Sequence, residues 1–296
     1  MKKISYIFAS ILLTASLSGC NDFLDVTPSD QYSDASVFTS TEGAQQVLIG
    51  AYDWFTNGHY AHYTNQYIFF MPDVMADDAM VNSTGNYNRF VSPYQYSITP
   101  SSTYSVDPWI GCYSLIDNCN AILDNLETLP ESSERNRIEG ESLALRTYAY
   151  HYLIRMYAKP VNKYPDNPGV ILRLTASTTD IPRSTVKDCY VQMVNDIEKA
   201  CTLLTGTSSS SKCYITEQAA HGIAARIYLD LCDYTNGTSH ANKALSEITL
   251  MSKAIKTSSV KITLKQYGIL HVPLLTSNHS YRCQHFGTIV TKILLM

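Results

Sequence analysis

Apolar side chains recur along this chain at steps of three and four residues, and one-on, one-off alternation is nearly absent, so the pattern predicts helices with almost no sheet. The first stripe, Ala44, Val47, Leu48, Ala51, Tyr52 and Phe55, follows Thr39-Ser40-Thr41-Glu42, residues suited to capping a helix start. A second, Trp109, Cys112, Tyr113, Ile116, Cys119, Leu123 and Leu126, is stopped by Pro130. The third opens after Ser132 and Ser133, carries Leu145, Tyr148, Tyr152 and Met156, and must end near Lys159, because the ring of Pro160 cannot continue a helix. Thr185-Val186-Lys187-Asp188 has the form of a capping box and launches a fourth, with Tyr190, Val194, Ile197 and Cys201 on one face. The fifth runs from Thr216 through Ala219, Ala220, Ile223, Ala224, Ile227 and Leu231, its small residues allowing a neighbour to approach closely. Each stripe needs a partner to cover it. Antiparallel helix pairs stacked side by side would cover all five, which makes the expected class all-α, although no strict repeat period accompanies them.

Between the first two stripes, Asn57 to Pro108 is long for a connection in a compact domain and is expected to be a functional surface loop. It holds Tyr60, Tyr63, Tyr67, Tyr87, Tyr94, Tyr96 and Tyr104, interleaved with Asn82, Asn86, Asn88 and Arg89.

With 296 residues, 45% of them hydrophobic and 16% charged, the chain can bury a real core in one or two domains. Lys2 and Lys3 followed by the apolar run Ile4 to Leu17 have the layout of an export signal, too short to cross a bilayer comfortably. Behind that leader 20 basic residues face 26 acidic ones, a balance that argues against nucleic acid as a partner. Past Cys20 there remain seven cysteines, without CxxC or Cys/His zinc spacing; several fall at apolar helix positions and are expected to behave as small core hydrophobes.

Leu17-Ser18-Gly19-Cys20 resembles the bacterial lipobox, which implies cleavage before Cys20 and a diacylated cysteine as the mature N-terminus. After it come Asp25-Val26-Thr27-Pro28 and Thr41-Glu42-Gly43-Ala44 leading to Ala51-Tyr52. Trp109-Ile110-Gly111-Cys112-Tyr113 through Ile116 to Asn120, Arg146-Thr147-Tyr148 through Tyr157 to Pro160, Arg183 to Val186 with Ile197 to Ala200, and Ala219-Ala220 to Leu229 follow in order. Each motif is weak by itself. As an ordered set over Met1 to Leu245 they resemble the SusD/RagB family of the Bacteroidetes. That resemblance implies a lipid-anchored outer-membrane protein built on tetratricopeptide-like helix pairs and free of enzymatic activity and cofactors. It also implies that the chain captures a glycan, or in some branches a peptide, and presents it to a SusC-like TonB-dependent transporter from the cell surface.

Flat tyrosine faces stack on the apolar side of sugar rings, while amides and guanidinium groups reach hydroxyls, and few rotatable bonds keep the entropy loss small. Asn82, Tyr87, Arg89, Tyr94 and Tyr96 are therefore the candidate glycan contacts, against the plain alternative that tyrosines half-bury in any large surface loop. Trp109 is expected to pack, and Arg146 and Arg226 to make buried-end ion pairs. Asp73, Asp77 and Asp78 are carboxylates without the fixed separation glycoside hydrolysis needs, and His59 and His62 lack a third metal ligand. No catalytic elbow, phosphate loop or dinucleotide fingerprint occurs.

Charge changes sign near Leu245: residues 20 to 245 hold 14 basic and 25 acidic residues, and residues 246 to 296 hold 6 and 1. The expected organisation is a lipoprotein signal peptide over 1–19, a SusD-like helical region over 20–245, and a divergent tail over 246–296 produced by a truncation or frameshift. A helical scaffold for a peptide or protein, and a fragment without function, are the other two readings the sequence leaves open.

Overall fold

The computed structural model describes residues 37–57, 64–76, 79–82, 87–176, 180–207 and 213–246. The leader with Cys20, the tail beyond 246, and Tyr60, Tyr63, His59, His62, Asp77, Asp78 and Asn86 lie outside the described residues. In chain order the helices are α1 (Thr41–Asn57), α2 (Thr64–Met75), α3 (Val91–Tyr94), α4 (Thr103–Asp124) with a 3-10 turn at Leu126–Thr128, α5 (Ser133–Tyr157), α6 (Val186–Leu204), α7 (Glu217–Asp230) and α8 (Tyr234–Leu245). Among the described residues the only β pairing is an isolated bridge between Pro168 and Thr185, so the fold is all-α, as the periodicity predicts.

Side-chain caps fix where four of the predicted helices begin. Ser132 accepts a hydrogen bond from the Arg135 amide at 3.1 Å, Thr185 from the Asp188 amide at 3.1 Å, and Thr216 from the Ala219 amide at 3.3 Å, each satisfying a donor that has no partner inside its helix. The Gly43 amide is held by the Ser40 hydroxyl at 3.2 Å in the same way. At the other end of α5, the helix stops at Tyr157, two residues short of the proline-imposed limit.

Three elements depart from expectation. Asn57 to Pro108 is not a continuous loop: it contains α2 and α3, and α4 begins at Thr103 rather than near Trp109. Pro72 and Pro108, which look like breakers in the sequence, lie inside α2 and α4. The third is α8, whose Thr, Asn and Gly residues are poor helix formers; Asp233 caps it through the Asn236 amide at 3.1 Å, and it packs along α7.

The helices lie in a row, α4 against α5, α5 against α6, α6 against α7 and α7 against α8, with α1 and α2 laid on α4. Their facing stripes form one core in which Leu48, Leu115, Ile116, Ile138, Tyr150, Leu153, Met193 and Ile197 are fully buried. Trp109 packs as expected, its ring 4.8 Å from that of Tyr113 and 5.0 Å from that of Tyr157. Of the cysteines, Cys112, Cys119, Cys189 and Cys201 are buried free thiols, whereas Cys232 is exposed.

A long connection joins α5 to α6 and lies across α4 and α5. Two tyrosine hydroxyls take the place of a neighbouring strand there: Tyr113 donates to the Ile171 carbonyl and accepts from the Ile171 amide, both at 2.9 Å. Tyr150 does the same for Arg173 at 2.6 and 2.7 Å. Each hydroxyl thus satisfies two backbone groups that the loop would otherwise leave unpaired.

Inside this row, His151 is buried and its Nε2 lies 2.8 Å from Asp230 Oδ2, which also accepts from the Tyr190 hydroxyl at 3.0 Å. Burial outweighs the carboxylate and holds the imidazole below its ordinary value of 6.5. Its folded pKa being depressed, the unfolded chain takes up the proton first as pH falls, so this contribution is complete above about 6.5 and is lost on acidification through the folded value. The urea midpoint should therefore decline as pH falls below about 6.5 in the natural chain and decline less in His151→Gln. Parallel profiles for the two proteins would remove His151 as the cause.

Candidate functional site

The described part of the tyrosine-rich region is a short, unusual segment. Tyr87, Asn88, Phe90 and Tyr96 all have φ between 54° and 60°, the left-handed region that side chains with a β-carbon seldom occupy. For asparagine this is mild; for three aromatic residues it costs on the order of 1–3 kcal/mol each and persists only because the surroundings fix it. The anchor is an aromatic cluster. Tyr67 of α2 is buried and meets Phe90 and Tyr104 edge-on, with centroids 6.2 and 5.0 Å apart. The Tyr104 hydroxyl accepts from the Phe90 amide at 2.6 Å, which pins the segment to the start of α4.

Above that anchor the candidate contacts face outward. Tyr87 is 90% exposed and Tyr96 70%, whereas Tyr94, at the end of α3, is 39% exposed. Tyr96 keeps its ring in solvent while its hydroxyl donates to the Met75 carbonyl at the end of α2. Arg89 is exposed beside Tyr87, and Asn82 is exposed on the near side of residues 83–86, which lie outside the described residues. Tyr87, Arg89, Tyr94 and Tyr96 therefore share one backbone segment on one anchor. Tyr67 and Tyr104, which the sequence places in the same rich loop, serve the anchor instead.

Two concavities lie elsewhere. One, of about 420 Å³, is polar and lies at the ends of α5 and α7, with Arg155, Lys159, Asn162, Tyr190 and Asp230 on its walls. The other, of about 300 Å³, is an apolar groove between α7 and α8 with Leu229 and Tyr234 on its rim. None of the five candidate contacts lines either one, and Tyr87 and Tyr96 present their rings on an open surface.

Arg146 and Arg226 differ from one another. Arg146 is buried and paired, its Nε and Nη2 donating to the two oxygens of Asp196 at 2.9 Å each, while Nη1 donates to Asn120 at 2.8 Å. This is the ion pair expected of it. Arg226 lines the apolar groove, and burial holds its guanidinium below its ordinary value.

Residues 22–229 match the family model SusD-like_3, described as starch-binding and associating with the outer membrane. The chain belongs to the SusD-like family. It is 27% identical over 241 residues to a SusD-like protein of Bacteroides ovatus, a match covering 79% of this chain and 40% of that one. It is 26% identical over 265 residues to the SusD-like protein P38 of Formosa agariphila, covering 88% and 48%. Among solved structures, a SusD-like carbohydrate-binding protein of Bacteroides vulgatus superposes with a TM-score of 0.63 at 26% identity, covering 70% of this chain and 45% of that one. The SusD-like chain thus spans less than half the length of these curated relatives.

Proposed function

We propose that this SusD-like chain is a non-catalytic surface lipoprotein that captures a polymeric glycan on the exposed aromatic segment and hands it to a SusC-like TonB-dependent transporter. The observation that carries the reading is the pair of aromatic faces, Tyr87 and Tyr96, held out in solvent on strained backbone rather than folded into the core. Aromatic rings in water gain by covering an apolar surface, and a pyranose face is one that leaves the hydroxyl edges free for Arg89 and Asn82. The open shape suits a polymer, which can lie across a surface, better than a monosaccharide, which needs enclosure. The family description as starch-binding and outer-membrane-associated supports both the ligand class and the compartment. The anchor belongs on Cys20, where two acyl chains, each methylene contributing about 0.8 kcal/mol when buried, would hold a protein firmly at the membrane.

Affinity electrophoresis of the chain from Cys20 onward, through gels containing starch, other glucans and unrelated polysaccharides, tests this. Retardation by at least one polymer, without release of shorter saccharides, is expected. Uniform mobility in every gel, or turnover of the polymer, would overturn the proposal.

A further inference from the structure

Three residues that the glycan reading leaves unused converge where α6, α7 and α8 meet. Cys201 in the last turn of α6, His221 in α7 and His240 in α8 are all buried, and each offers a ligand atom within 4.8 Å of the other two. The separations in sequence, 20 and 19 residues, match no metal-binding motif; only the fold brings them together.

We propose that Cys201, His221 and His240 form a binding site for a divalent transition-metal ion, with Zn2+ the best fit to a thiolate and two imidazoles. The argument rests on how the two rings are turned. Their Nδ1 atoms face each other at 2.8 Å. Each Nε2 is turned to a carboxylate: that of His240 lies 3.0 Å from Glu198 Oε1, and that of His221 lies 3.9 Å from Glu217 Oε1. Glu198, within hydrogen-bond reach of His240 Nε2, calls for N–H on that nitrogen and leaves the His240 lone pair on Nδ1, whereas Glu217 at 3.9 Å does not fix the His221 tautomer. The His240 lone pair therefore points at His221 Nδ1, which either donates an N–H to it or turns a second lone pair towards the same point, with a ligand atom of Cys201 within 4.8 Å.

A proton on His221 Nδ1 and a metal ion are the two occupants that fit between the nitrogens. A neutral hydrogen bond uses only the two histidines and leaves the Cys201 thiol beside them without a role. A metal ion takes both lone pairs and Cys201 Sγ at once. At metal–nitrogen distances of about 2.0–2.1 Å, tetrahedral ligation requires the nitrogens to be roughly 3.3 Å apart, so the rings need separate by only about half an ångström.

The outer contacts have the form that orients metal-binding histidines. Glu198 Oε1, besides facing His240, accepts from the Tyr228 hydroxyl at 2.6 Å, and the Tyr228 ring stacks on His240 with centroids 5.4 Å apart. The cost falls on the thiol. Burial pushes Cys201 up to about 12, so the ion must displace its proton: the S–H bond breaks, the metal–sulfur bond forms, and one proton is released per ion bound.

Titration of the reduced, metal-free full chain with Co2+ tests the site. We expect one ion per chain with a thiolate-to-cobalt charge-transfer band, displaced by Zn2+, unchanged in Cys232→Ser and absent in Cys201→Ser. Glu198→Gln, at a partly exposed side chain, should keep the band and weaken Co2+ binding about 10–100-fold. Absence of a band in the natural chain would mean that the histidines share a hydrogen bond and nothing more, and would end the proposal. A band that survives in Cys201→Ser would place the metal on another thiol and end it equally.

Discussion

Asp196→Ala is expected to destabilise the protein by about 3–5 kcal/mol, because it removes one half of a buried charge pair and leaves the other half behind. Arg146 and Asp196 have side chains 7% and 6% exposed, and the guanidinium is bound through three of its nitrogens. Without the carboxylate, two N–H groups and a full positive charge remain among Asn120, Cys119 and the loop carbonyl of Leu174, with little water in reach. Domains of this kind have total stabilities of about 5–15 kcal/mol, so the loss is a large share of the whole. Urea unfolding gives the number. A loss under about 1 kcal/mol would show that the site relaxes or hydrates and that the pair does not organise the core. Replacing both residues together, as Arg146→Met with Asp196→Leu, is expected to cost far less than Asp196→Ala, since no charge is then left uncompensated.

The triple variant Tyr87→Ala, Tyr94→Ala, Tyr96→Ala is expected to lose most of its glycan retardation while remaining folded. An aromatic face contributes about 0.5–1.5 kcal/mol beyond the area it covers, so three together amount to roughly tenfold to a thousandfold in affinity. Little stability is at stake at Tyr87, which is almost wholly in solvent, and alanine retains the β-carbon, so the backbone strain at Tyr87 and Tyr96 is unchanged. Tyr96 alone gives up a hydrogen bond, that to the Met75 carbonyl. The conservative Tyr96→Phe, which loses that bond but keeps the ring, should bind nearly as the natural chain does. Full retardation of the triple variant would move the binding surface away from this segment.

The five stripes with strong three- and four-residue spacing all appear as helices; the two starts named as caps are capped by Ser40 and Thr185, and two more helices begin at the serines and threonine where their stripes open. These signals were legible because they are local. What escaped was decided by tertiary contact. α2 carries Pro72, and its apolar residues Tyr67, Ile68, Met71 and Val74 read as part of a loop until α4 is present to cover them. α8 has weak intrinsic propensity and is held by α7. Exposure within the tyrosine-rich region was likewise not encoded locally: Tyr67 and Tyr87 have the same side chain in the same rich stretch, and only packing buries the first and exposes the second. The Cys201, His221 and His240 cluster depends on three helices meeting, which no spacing could reveal.

Because each helix leans mainly on its immediate neighbours, the molecule behaves like a shelf of books rather than a sphere. The volumes at one end can be exchanged while those at the other stand. On the proposed glycan reading, substitutions around α2 and α3 would retune what the aromatic rings grip without disturbing the α6 to α8 end, so selection could act on appetite and on sturdiness separately.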